Sequence, residues 1–207
     1  MKITNMKTLI DIGSTQIKIQ PQIDQIKRGV ESIVNPAGAS TFSMYNGYLS
    51  SGKPMKHPNG VVPLKNACIS YLEDNGWITE YTMQLGTTTR KPGPIDAVSS
   101  TTNSAVALEW ETGNISSSHR SLNRMTIGLL NEKILGGILV LASGTTYPYL
   151  TDRVGNYPEL KPYFDIWQKA HYPLKQGYLG VIEFEPEHFD NDPQLRLHKG
   201  TDGRALR

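Results

Sequence analysis

The chain has 207 residues, with 21 Lys and Arg against 19 Asp and Glu and a formal net charge of +2. That length supports a substantial core in a single domain over residues 1–207, and so balanced a charge neither marks nor excludes a polyanionic partner, because clustering counts for more than the sum. The one cysteine, Cys68, excludes an internal disulfide and fits a reducing cytoplasm, while no apolar run approaches the roughly 18 residues of a membrane span and no basic-then-apolar leader opens the chain.

Residues 1–20 are weakly patterned and read as a lead-in. Pro21 opens a helix, with Ile23, Ile26, Val30, Ile33 and Val34 on one face. Residues 35–60, rich in Gly, Pro, Ser and Asn, read as a long irregular connection, of the kind that is functional or mobile. A second helix from about Pro63 to Asn75 carries an apolar stripe of Leu64, Cys68, Tyr71 and Leu72, with Gly76 as its stop. Cys68 lies on that stripe and reads as a core residue. Residues 86–94 form another Gly/Thr/Pro loop. Pro94–Val98 is a short strand, Ser99–Ser104 a polar turn, and Val106–Glu111 a second strand, most simply joined as an antiparallel hairpin. Val106, Leu108 and Trp110 share one face; Ala107, Glu109 and Glu111 share the other.

Gly113 ends that strand. Asn114, Ser116 and Ser117 then offer N-caps for a helix over about 117–130, packed through Leu122, Met125, Leu129 and Leu130. Ile134–Ala142 reads as a central strand covered on both faces. Asn156 and Glu159 have capping-box spacing ahead of Leu160, Tyr163, Phe164 and Trp167, and Pro162 argues against one continuous helix there. Tyr178–Phe184 is a further strand, and 188–207 reads as a polar, mobile C-terminal segment. Strands alternating with helices, plus a hairpin, give an α/β fold around a central mixed β-sheet.

The chemistry concentrates in the hairpin. If its strands pair, Asp96, Glu109 and Glu111 converge, and three carboxylates in one place require a cation. Oxygen ligands of this kind select Mg²⁺, Mn²⁺ or Ca²⁺ over zinc. The order Pro-Ile-Asp, turn, Glu-x-Glu follows the metal-nuclease pattern Pro-Asp…Asp/Glu-x-Lys, with Glu111 in the lysine position. A lone Glu-x-Glu is more often a solvated strand face. The histidines (57, 119, 171, 188 and 198) show no paired ligand spacing, and each reads as a surface or structural residue. Asp152-Arg153 is a surface ion pair on the plain reading. On the sharper one it is a pair of base readers, Arg donating to guanine and a carboxylate accepting from cytosine. Asn114, Ser116 and Arg120 have similar options, although capping alone accounts for Asn114 and Ser116. Three functions fit: a site-specific endonuclease, a DNA-binding protein without catalysis, and a metal-dependent phosphoesterase for small substrates. The acidic cluster argues against the second, and the polar side chains placed for base edges against the third.

At these residues the chain resembles the BamHI family of type II restriction endonucleases, and is close to a short isoschizomer within it. The blocks NGVVPLKNACISYLEDNGW (59–77), GPID (93–96), EWETGNISSSHRSLN (109–123), YLTDRV (149–154), ELKPYF (159–164) and KGTDG (199–203) match in the same order, while residues 1–58 match faintly. The resemblance implies a restriction-endonuclease-like core, a mixed sheet with helices on both sides. It implies a homodimer that cuts duplex DNA at GGATCC after the first G, in a restriction-modification system with a companion DNA methyltransferase. Mg²⁺ is the implied cofactor, with Mn²⁺ as a substitute and Ca²⁺ binding without supporting cleavage. Asp96 and Glu109 match the principal metal ligands, Glu80 an outer one, and Glu111 either the general base or a residue that holds the attacking water near a metal. Asn114, Ser116, Arg120, Asp152 and Arg153 match major-groove readers. Asp202 and Gly203 match a C-terminal DNA contact, and Lys65 a lysine near the active site. The helix over 117–130 and the one after Asn156 match dimer-forming helices. In the family the chain continues past the Asp-Gly pair into a basic helical tail; here the sequence stops at Arg207.

Overall fold

An unbroken apolar run such as Ile134–Ala142 is stable only in the middle of a sheet covered on both faces. The computed structural model describes residues 1–49, 51–86, 92–100, 104–151 and 153–199. In chain order its elements are β1 (Lys2–Ile12), α1 (Thr15–Lys18), α2 (Gln20–Glu31), β2 (Ser43–Tyr45), α3 (Val62–Asp74), β3 (Ile78–Tyr81), β4 (Ile95–Val98), β5 (Val106–Trp110), α4 (Ile115–Leu130), β6 (Gly136–Ala142), α5 (Tyr157–Leu160), α6 (Phe164–Gln168), β7 (Gly177–Glu185) and β8 (His188–Asp190). The six-stranded sheet runs β1-β7-β6-β5-β4-β3. Its centre, β5-β6-β7, is parallel, and both flanks are antiparallel. Every residue of β6 is buried.

Two apolar layers cover the sheet. On one face α2 and α3 bring Ile23, Ile26, Val30, Leu64, Cys68 and Leu72 against Val106, Leu108, Ile138, Val140 and Ile182. On the other, α4 to α6 bring Leu122, Met125, Leu129, Leu160, Phe164 and Trp167 against Ala107, Leu139, Leu141 and Val181. The alternation read in β5 thus separates two cores. Pro162 and the residues around it split the segment after Asn156 into α5, a turn of 3-10 helix (Lys161–Tyr163) and α6. The Asn156 side chain does cap it, accepting from the Glu159 N–H at 3.1 Å.

Several expectations need correction. Residues 1–20 are no lead-in: β1 is a long edge strand on β7. Register shifts between Ile3 and Asn5 and between Thr8 and Ile10 break its two-residue period, and an edge strand has one wet side, so its pattern is weak. β3 was not anticipated, being four residues long with alternately exposed positions. Val34 lies beyond the end of α2 and is 36% exposed, and Leu130, the last residue of α4, is 39% exposed. The irregular stretch 35–60 holds β2, which pairs in parallel with β8. Residues 188–199 are therefore docked; the rest of that segment, 200–207 with Asp202 and Gly203, lies outside the described residues.

Asn59 joins three of these segments. It is fully buried, and its Nδ2 donates to the carbonyls of Tyr45 (2.8 Å) and Tyr149 (3.0 Å). Its Oδ1 accepts the Leu197 N–H at 3.1 Å. Gly60 follows because a Cβ there would sit 2.5 Å from the His198 carbonyl oxygen. Buried polar groups left without partners cost about 1–3 kcal/mol each. Asn59→Ala is therefore expected to destabilise the fold by about 2–4 kcal/mol, read as a lowered urea midpoint at unchanged slope; a loss within 0.5 kcal/mol, an order-of-magnitude threshold for ordinary surface changes, would show that Asn59 is not the tie described.

Candidate active site

The β4–β5 hairpin pairs Val98↔Ala107 and Ala97↔Leu108, with the Ser99 N–H donating to the Val106 carbonyl at 3.0 Å on the turn side, and its ladder ends at Ala97↔Leu108 on the other. Beyond that point a side chain takes over from the backbone: Asp96 Oδ2 accepts the Trp110 N–H at 2.7 Å. Asp96 is thereby fixed in the mouth of the hairpin, 8% exposed, with Glu109 on the neighbouring strand. β5 continues its parallel ladder one step further, the Glu111 N–H donating to the Val140 carbonyl at 3.0 Å. The hairpin places Asp96 beside β5, which carries Glu109 and leads into Glu111, but among the described residues no three acidic, His or Cys side chains group as a metal site, so the expected convergence of all three carboxylates on one cation is not present.

Each carboxylate is matched by its own partner. Lys65 of α3 places Nζ 2.6 Å from Asp96 Oδ1 and 3.1 Å from Glu80 Oε1. Glu80 has left-handed backbone (φ 47°) within β3 and a side chain 56% exposed, so it stands at the rim. Burial works to lower the Lys65 pKa, but the hydrogen bonds and charges of Asp96 and Glu80 outweigh it and raise it, so the ammonium stays charged. Arg124 of α4 places Nη2 3.3 Å from Glu109 Oε1, in ion-pair range but without a hydrogen bond. Its Nε and Nη2 are buried with no hydrogen-bond partner, an arrangement that costs about 1–3 kcal/mol per stranded donor. Glu111 accepts from the Ser118 hydroxyl and, at 2.7 Å, from the Gly113 N–H. Burial raises the Glu111 pKa, with these two bonds opposing. Burial also pushes the Glu109 carboxyl up to about 8, helped by the Asp96 charge and opposed by Arg124 and Lys65.

α4 supplies the adjoining wall. Asn114 caps it, accepting from the N–H groups of Ser116 (3.1 Å) and Ser117 (3.3 Å). Capping thus accounts for Asn114, while Ser116 takes part through its backbone. Asn114, Ser116 and Arg120 are exposed, and Arg120 Nη2 donates to Ser117 Oγ at 3.2 Å. Ser116, His119, Arg120, Asn123, Arg124 and Ile127 fall three or four residues apart, on one helix face. With Pro92–Pro94 and Glu109 they line a cleft of about 870 Å³. His119 also packs in a structural role, edge-on to Tyr163 at 4.6 Å and stacked on Trp167 at 5.7 Å.

The Tyr149–Gly155 loop closes against this corner. The Gly155 N–H donates to the Gly113 carbonyl at 2.8 Å. A Cβ at Gly155 would lie 2.6 Å from Ser118 Oγ, 3.2 Å from Glu111 Cγ and 3.3 Å from the Asn114 carbonyl carbon. Arg153, in left-handed backbone (φ 61°), is exposed on this loop; Asp152 lies outside the described residues. Arg124, Asn59 and Gly155 were not singled out from sequence. Only Arg124 left a trace there, at i+4 from Arg120.

The family comparison now has a geometry to attach to. The model of the family described as restriction endonuclease BamHI matches residues 1–204. The type II restriction enzyme OkrAI of Oceanobacter kriegii is 42% identical over 207 residues, covering all of both chains. The type II restriction enzyme BamHI of Bacillus amyloliquefaciens is 34% identical over 195 residues, 91% of this chain and 84% of that one. The chain belongs to the BamHI family. Membership carries the enzyme class with it, that of a type II restriction endonuclease. In fold it is similar to the restriction endonuclease BglII, whose crystal structure with a DNA 16-mer superposes at TM-score 0.62 and 11% identity, over 93% of this chain and 78% of that one. The expected restriction-endonuclease-like mixed sheet with helices on both sides is thus present.

For a BamHI-family hairpin, the donor chemistry of Asp96 and Glu109 suits a hard divalent cation. Mg²⁺ keeps water and phosphate oxygens beside one or two carboxylates, so Asp96 and Glu109 would suffice as its protein ligands. The raised Glu109 carboxyl points the same way, since a cation would restore its charged form. Without a metal, a carboxyl at about 8 when folded favours folding at low pH, and the contribution is lost as pH rises from its ordinary range through 8. The melting temperature of metal-free protein is thus expected to fall less between about pH 5 and about pH 8 in Glu109→Gln than in the wild type. Parallel curves for the two would refute the buried, proton-holding Glu109.

Proposed function

We propose that the chain is a site-specific deoxyribonuclease acting on duplex DNA at GGATCC, cutting after the first G with Mg²⁺. The observation that carries this is the acidic mouth of the β4–β5 hairpin opening beside the capped, Arg-bearing end of α4, in a chain of the BamHI family. Asp96 and Glu109 hold the cation, and Glu80 stands outside them. When bound, the cation polarises the phosphate and acidifies water. Glu111 is the general base. Ser118 and Gly113 fix its orientation, and burial holds its pKa above that of an ordinary glutamate, nearer the range a base at neutral pH needs. Mn²⁺ substitutes for Mg²⁺, and Ca²⁺ binds without supporting cleavage.

Asn114, Ser116, Arg120, Asp152 and Arg153 read base edges. The first three are exposed on the cleft end of α4, and Arg153 on the loop beside it. Asp202 and Gly203 extend the contact from the docked segment ending at Lys199. A palindrome calls for a two-fold dimer. Tyr163 and Ile166, 45% and 60% exposed beside α4, support an apolar homodimer contact through α4 and α6. No helix among the described residues is long and apolar enough to cross a membrane. The setting proposed is a restriction-modification system in the cytoplasm, with the single domain 1–207 acting as a dimer alongside a separate methyltransferase.

The test is a plasmid with one GGATCC, incubated with Mg²⁺ or Ca²⁺ and its ends sequenced. Cuts after the first G of each strand are expected with Mg²⁺ alone. A bound but uncut site would remove the catalytic assignment of Asp96, Glu109 and Glu111. Glu111→Lys is expected to abolish cleavage while leaving Ca²⁺-dependent binding; near-normal turnover would take the base role from Glu111. Arg153→Ala should weaken discrimination against singly altered sites by about 1–3 kcal/mol per lost guanine contact, and an unchanged preference would count against it as a reader.

A further inference from the structure

The two carboxylates assigned to the metal are not open to it. Lys65 reaches Asp96 from α3, on one face of the sheet, and Arg124 reaches Glu109 from α4, on the other. A divalent ion between these carboxylates would meet an ammonium and a guanidinium within a few ångström. We infer that Lys65 and Arg124 are stand-in cations, which hold Asp96 and Glu109 until duplex DNA enters the cleft, then transfer to its phosphate oxygens and release the carboxylates to the metal. The inference rests on the proposed metal-dependent cleavage of DNA and adds an order of events to it: the metal site is completed by the substrate.

Three features of the pairs suit a transfer better than a permanent tie. Arg124 lines the cleft with Arg120, so its side chain borders the space an anion would enter. It makes no hydrogen bond to Glu109, and two of its nitrogens have none at all. Those donors match the forked acceptors of a phosphate. Lys65 is shared between buried Asp96 and rim-exposed Glu80, so its ammonium has a partner on the way out. Glu80 acquires a purpose in this scheme, as the partner Lys65 keeps while it moves from Asp96 to the phosphate. A lysine and an arginine that only brace the fold would behave differently: their loss would cost stability and gain nothing.

The experiment is calorimetric titration of Ca²⁺ into the DNA-free protein, comparing wild type with Lys65→Met and Arg124→Met at one alkaline pH, where Glu109 is a carboxylate in all three. Each variant is expected to bind Ca²⁺ at least about tenfold more tightly, well under the roughly thousandfold per unit of ion charge that a like charge about 4 Å away costs at an effective dielectric near 20. Equal or weaker binding by variants that keep a cooperative melt overturns the inference. The second measurement repeats the titration with a duplex carrying GGATCC. DNA should tighten Ca²⁺ binding to the wild type, and the gain should shrink in each variant; a gain of undiminished size overturns the transfer. Should Met fail to fold at either position, Lys65→Gln and Arg124→Gln are read in the same way. Failure here is separable from failure of the proposed function. A protein that cuts GGATCC while its variants bind Ca²⁺ no better loses only the stand-in cations. One that cuts nothing, yet gains Ca²⁺ affinity in both variants, loses only its site assignment.

Discussion

Carboxylates taken out of water must be matched by positive charge or by donors, and this requirement organises the centre of the molecule. Asp96, Glu109 and Glu111 lie within a short stretch of one hairpin, all largely buried. Each draws in something different: a lysine from α3, an arginine from α4, and a hydroxyl with a backbone N–H from the β5–α4 turn. Elements on opposite faces of the sheet are thereby fixed to one another through the acids rather than through apolar packing alone. The raised Glu109 carboxyl is the remaining imbalance, where burial and the Asp96 charge exceed what Arg124 and Lys65 return.

The sheet supplies the geometry for this. A hairpin paired along its whole length would keep its side chains in register and its backbone bonds internal. Here pairing stops at Ala97↔Leu108, and Asp96 satisfies the Trp110 N–H instead. The opening is held from behind by the parallel centre of the sheet, where β6 is buried on both faces. A rigid strand thus carries Glu109 and the start of Glu111, while α4 begins directly afterwards and turns its polar face to the same cleft.

Much of this was legible in the sequence, and the exceptions have physical causes. The hairpin, the cap at Asn114, the central strand and the stripe through Cys68 announce themselves because local pattern and burial agree. The acids were found for a related reason: charges amid apolar strand residues require explanation. β1 stayed hidden because bulges broke its period, and β3 because four half-exposed residues carry little pattern. The ordered part of the C-terminal segment was hidden because polar residues dock there by backbone bonds, through β2 and Asn59, which leave no apolar signature. Arg124 and Gly155 matter only through contacts distant in sequence. The family resemblance supplied roles for residues such as Glu80 and Lys65 that pattern alone left unremarked.

Gly155 bears on how such an enzyme could change what it recognises. The loop that carries Asp152 and Arg153 holds two of the proposed base readers. Its far end, however, rests against Ser118, Glu111 and the cap of α4 with no room for even a methyl group. A larger residue at Gly155 has to displace the Ser118 hydroxyl, and with it the bond that orients Glu111. Change is therefore absorbed more readily at the tip of the loop than at its base, where the backbone leans on the hydroxyl that orients the acid.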